Sequence, residues 1–163
     1  IDAITGFTFT SLLNLEARGV KAADVAVMPF ADNGVKLYGN AIIASAKLVR
    51  ENPEAVRAFL KAFSKGAKEV MANPGAAIAY VKERDGIVNT ALETRRLQLA
   101  IDTVINTADA RGEGFGQVSP TRMALMASQI SDVYATKTRV NPETLWSGRF
   151  LPPVAELDVF PKK

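Results

Sequence analysis

The chain has 163 residues, enough for one domain of ordinary size with a sizeable core. It contains no cysteine and no histidine, which removes disulfides, thiolate zinc sites, cysteine nucleophiles and any Ser-His-Asp triad. The net charge of +3 comes from scattered residues, so no basic footprint for nucleic acid is present, and no apolar run approaches the roughly 20 residues of a membrane span.

In chain order, Ile1 to Thr5 (IDAIT) reads as the end of a strand that Gly6 breaks. A domain seldom opens in mid-strand, and no initiating Met is present, so the chain reads as a mature or truncated piece. Phe7 to Arg18 has helical spacing, with Gly19 as its stop. Asp24 to Phe30 (DVAVMPF) and Leu37 to Ala44 read as strands on either side of a turn at Ala31 to Gly34 (ADNG). The front is therefore expected to run β-α-β-turn-β.

From Ala46 onward the pattern is helical. Asn52-Pro53-Glu54, Asn73-Pro74 and Ser119-Pro120 are helix starts, each pairing a capping side chain with a proline of preset φ. Thr90-Ala91-Leu92-Glu93 matches a capping box. Val56, Phe59, Leu60, Phe63, Val70 and Met71 form one core-facing stripe; Leu97, Ile101, Val104 and Ile105 form another. The expected fold class is α/β at the front with a helix-rich C-terminal portion.

Two places carry candidate binding chemistry. At Thr5, Gly6, Phe7 and Thr8 a strand feeds straight into a helix, exposing backbone N–H groups and hydroxyls where polar ligand groups bind in open sheets. The alternative there is a simple threonine N-cap with Phe7 in the core. Tyr38 and Asn40 flank Gly39 at the mouth of the second strand, offering a stacking face and an amide; the alternative is an ordinary strand edge. Gly112 to Gly116 (GEGFG) lacks the preceding strand and the immediate helix of a phosphate loop, and reads as an interhelical connection. Carboxylates sit at caps and on solvated faces, and Asp109 with Glu113 lacks a third ligand. No catalytic residue, metal site or cofactor is expected.

IDAITGFTFTSLLNLEARGV, ADNGVKLYGNAIIAS and ENPEAVRAFLKAFSKGAKEVMANPGAAIAYV, in that order, resemble one family. They are similar to the periplasmic substrate-binding proteins of ABC transporters, in the group serving nitrate, sulfonates, taurine and thiamine precursors. GEGFGQVSPTRM and SGRFLPP fit the later part of the same pattern. The resemblance implies a two-lobed, type II-like binding-protein fold of which this is the C-terminal half. Residues 1–35 would end the second lobe, and residues 36–163 would return to the first. It implies a small-molecule ligand in an interlobe cleft, bordered by Tyr38 and Asn40, and a permease partner in the membrane. The location it implies is periplasmic or extracellular, free or membrane-anchored in the full-length protein. Nucleic acid is not an expected partner, and unpaired strand edges lead to an expectation that the isolated piece self-associates. A solute binder is expected in preference to an enzyme. The alternatives are a synthase making the thiamine pyrimidine, which relies on a histidine and a cysteine-rich segment in the related fungal branch, and the ligand-sensing domain of a regulator.

Overall fold

Capping side chains set the helix starts in the computed structural model, which describes residues 2–162. The α-helices are α1 (Thr8–Glu16), α2 (Ala46–Glu51), α3 (Pro53–Ala72), α4 (Pro74–Arg84), α5 (Thr90–Ala100), α6 (Ala108–Glu113) and α7 (Pro120–Val133). Asn73 Oδ1 accepts the Ala76 N–H at 3.1 Å, and Ser119 Oγ accepts the Arg122 N–H at 3.4 Å. In α5 the cap shifts by one residue from the expected box: Asn89 Oδ1, not Thr90, accepts the Leu92 N–H. An Asn73→Ala change is expected to cost about 1 kcal/mol by orphaning the Ala76 donor. Urea melts would show it; a loss below a few tenths would mean water replaces the cap.

The α/β expectation is overturned. The described residues are about 60% helical and contain no strand or sheet. Val25 is extended (φ −115°, ψ 116°), and residues 35–45 lie outside any helix. Strand character requires a neighbouring strand about 4.8 Å away to exchange hydrogen bonds. Among the described residues neither segment has one. Propensity alone therefore yields extended chain, with Val27, Met28, Phe30 and Ile42 exposed and Ile43 at 91% exposure. The expected two-lobed α/β architecture falls with the sheet.

The chain divides into two compact units, with one boundary inside α3 between Ala62 and Phe63. The first holds the chain up to Val27, Phe63–Phe115 and everything from Val154 on. Its core is Met71, Ile101, Val159 and Phe160, with Leu97, Ile105, Ala110 and Phe115 packed against it. The Phe63 and Phe115 rings stack at 6.3 Å. Leu157 is fully buried, and its carbonyl accepts the Phe115 N–H at 3.0 Å, which ties the tail to the end of the glycine-rich segment. Arg96 joins α5 to α1 by donating to the Phe9 carbonyl and to Asn14 Oδ1.

Two expected core positions are corrected here. Val104 is 48% exposed because α5 continues into a π-helical turn, Ile101–Ile105, closed by the Asn106 N–H on the Ile101 carbonyl at 2.8 Å. Residues in such a wider turn each advance less than the ~100° of an α-helix, which swings the third residue off the shared face. Phe59, expected in the core stripe of α3, is 56% exposed; that stripe buries Val56 and Met71 instead.

The second unit holds residues Met28–Ala62 and Gly116–Pro153. Met123, Ala127 and Ser131 form the buried face of α7. Ser131 Oγ donates to the Ala127 carbonyl at 2.7 Å and accepts the Val140 N–H at 3.2 Å, so a buried hydroxyl anchors the return of the chain after α7. The Arg57 guanidinium lies over the buried Phe150 ring and donates to the Arg149 carbonyl.

Candidate functional site

The first candidate patch is the entry to α1, in the first unit. Phe7 is the N-cap residue, extended at φ −80° and ψ 135°, and no side chain caps the first turn. Its carbonyl accepts the N–H groups of Thr10 and Ser11 and the Thr10 hydroxyl, at 2.8 to 3.0 Å. Neither part of the simple threonine-cap alternative is met: the cap is Phe7, and that residue is 44% exposed, stacked on Phe9 at 5.0 Å. Thr5 and Gly6 are exposed and Thr8 is half-buried. A Cβ at Gly6 would overlap Ser11 Oγ, so the glycine lets the chain pass close to the helix.

The second patch is in the second unit, where residues 34–38 lie along α7. The Tyr38 hydroxyl accepts the Ser119 N–H at 2.9 Å, and the Arg122 guanidinium stands 4.3 Å from the Tyr38 ring centre. Arg122 also donates to the carbonyls of Lys36 at 3.0 Å and Leu37 at 2.9 Å, and Gln129 Nε2 donates to that of Gly34 at 3.2 Å. Side chains of one helix thus take carbonyls that a strand partner would otherwise take. Tyr38 is half-buried and Asn40 is exposed. The structure gathers Thr5–Thr8 into one patch and Tyr38 with Ser119 and Arg122 into another.

Sequence reasoning read Ser119 only as a helix start and passed over Arg122 and Gln129. It also missed two cavities. One, of about 360 Å³ in the first unit, has Arg111, Asp102 and Asn106 around an apolar floor of Met71, Ile101 and Phe160. The other, of about 310 Å³ in the second unit, is walled by Met123, Pro142 and Trp146. The one hint for the first was Arg111 beside the glycine-rich segment; its guanidinium lies 4.9 Å over the Phe160 ring. Among the described residues no group of three or more acidic side chains is placed to hold a metal ion. No helix among them is long and apolar enough to cross a membrane.

Both patches fall in a segment whose relatives are recognisable. Residues 1–77 match the NMT1/THI5-like family. This is the family of nitrate, sulfonate, taurine and thiamine-precursor binding proteins, as the ordered motifs of the chain indicate. The match ends within α4, so it takes in Thr5–Thr8, Tyr38 and Asn40 but not Ser119 or Arg122. No curated protein and no solved structure gave a match. NMT1/THI5-like proteins are mostly substrate-binding proteins, with synthase-like members of the THI5 kind. The match supports a solute-binding role in general terms.

Proposed function

We propose that this protein is the substrate-binding component of an ABC importer, capturing a small solute outside the membrane and handing it unchanged to a permease. The solute class is a sulfonate- or nitrate-like anion, or a small heterocycle such as a thiamine precursor. The observation that carries this reading is the NMT1/THI5-like match over residues 1–77. Binding and release need no proton relay or nucleophile, and a chain without histidine or cysteine is equipped for that and poorly equipped for a synthase reliant on both. In this reading the solute meets the protein at Thr5–Thr8 and at Tyr38 and Asn40.

Mass spectrometry tests the absence of turnover. Full-length protein is screened by thermal shift against taurine, alkanesulfonates, nitrate and aminopyrimidines, and incubated with whatever binds. Recovery of the solute unchanged is expected; a product peak would reject the binder in favour of the synthase. For the site, Asn40→Ala should remove a hydrogen bond with a net value of about 0.5–1.5 kcal/mol. Tyr38→Ala should remove an aromatic contact of about 1 kcal/mol beyond its area. Affinity is thus expected to fall from several-fold to roughly tenfold in each case, by titration calorimetry. Unchanged affinity in both variants, with a solute firmly bound, moves the site elsewhere.

A further inference from the structure

Residues 34–38 have no ladder partner among the described residues, yet they are closely fixed. Three of their carbonyls are held from α7, those of Lys36 and Leu37 by the single Arg122 side chain. The same guanidinium covers one face of the Tyr38 ring at 4.3 Å, and the backbone N–H of Ser119 points at the Tyr38 oxygen at 2.9 Å. Each contact limits a different freedom of Tyr38. The carbonyl bonds fix its backbone, the stacked guanidinium fixes the ring plane, and the Ser119 amide fixes the hydroxyl end.

The Ser119 contact also has a polarity. A backbone amide only donates, so the phenol oxygen acts there as the acceptor. The hydrogen of the phenol must then point to a different partner. Tyr38 is left as a donor, on a ring that can be stacked only from the side opposite Arg122.

We propose that Arg122 and Ser119 are positioning residues that set Tyr38 as a one-sided stacking platform with an outward hydrogen-bond donor, selecting flat solutes that carry an acceptor. This inference rests on the reading of Tyr38 as a solute-contacting residue. A ring nitrogen or a sulfonate oxygen meets the requirement; a ring of the same size with only donors does not. The matched effect is expected for Arg122→Lys, which keeps the charge but loses the planar fork that serves two carbonyls and the ring at once.

The test uses full-length protein and three flat probes: 4-aminopyrimidine and benzenesulfonate, which carry acceptors, and aniline, which has no acceptor in its ring. Titration calorimetry gives affinities for wild type, Tyr38→Phe and Arg122→Lys, while amide hydrogen exchange follows the Ser119 N–H without any ligand. Tyr38→Phe should weaken an acceptor probe about five- to tenfold and leave aniline nearly unchanged. Arg122→Lys should weaken all probes several-fold, and both variants should speed exchange at Ser119. Equal losses for acceptor and non-acceptor probes in Tyr38→Phe overturn the donor assignment. Unaltered Ser119 exchange in both variants overturns the positioning role, whatever the affinities. If neither acceptor probe binds wild type, the solute role of Tyr38 falls and the selectivity falls with it. Binding that is indifferent to Arg122→Lys overturns this inference alone and leaves the solute-binding reading standing.

Discussion

Phe160→Ala is expected to remove about 3–5 kcal/mol of stability, the range for deleting a buried aromatic ring from a packed core. Phe160 is 5% exposed and packs with Met71, Ile101 and Val159, so its ring volume becomes a cavity unless three helical segments and the tail move together. The change also strips the Arg111 guanidinium of the ring it covers. For a chain of this size the loss corresponds to a melting point lower by roughly 10 °C. The control is Phe59→Ala: more than half of that side chain is in solvent, so less transfer energy is lost and a cost of about 1 kcal/mol is expected. Similar losses for the two variants, read by urea titration, would mean that the packing around Phe160 is not the core of the first unit.

Arg96→Met should cost about 2–3 kcal/mol, although methionine keeps most of the stem. Arg96 Nε lies 3.1 and 3.3 Å from the two Glu93 oxygens, and the other guanidinium nitrogens reach the Phe9 carbonyl at 2.9 Å and Asn14 Oδ1 at 3.2 Å. Both Arg96 and Glu93 are largely out of solvent, so the variant leaves a poorly solvated carboxylate and an orphaned carbonyl as well as losing bonds of charge-assisted strength. One residue earlier, Arg95 pairs with Glu16 at 2.7 Å from a side chain that is mostly in water. Arg95→Met is therefore expected to change stability by less than about 1 kcal/mol. Hydrogen exchange in α1 separates the two: it should rise in Arg96→Met and hardly move in Arg95→Met. The reverse order would show that the exposed pair holds α1 in place.

The helix starts were legible because capping is local chemistry. Asn73 and Ser119 each reach a backbone amide three residues on, and three residues are within what a sequence pattern displays. The family was legible for a similar reason, since an ordered set of short motifs persists in the chain. The sheet was misread because Asp24–Phe30 and Leu37–Ala44 have the composition of strands, and composition does not supply a partner. Val104 was misplaced because apolar spacing looks the same whether a turn closes four or five residues apart. At the Tyr38 patch the local residues were singled out, but Ser119 and Arg122 lie more than 80 positions away. An arginine two residues after a proline at a helix start carries no mark that distinguishes it from a solvated one. Only the folded chain brings it to the ring.

The π-helical turn at Ile101–Ile105 makes chain length at that point consequential. Such a turn accommodates one more residue than the α-helical path between the same two ends. Deleting a single residue there would let the α-helical ladder close, and everything beyond would then rotate by about 100° and slide by about 1.5 Å along the axis. Asn106 would leave the orientation in which its Oδ1 receives Arg111 Nε at 2.6 Å, and the guanidinium over Phe160 would lose that support. Substitutions at exposed Val104 should pass with little effect, whereas a one-codon deletion beside it should not. Tolerance to exchange and tolerance to shortening are separate properties of this segment, and the extra residue confers only the first.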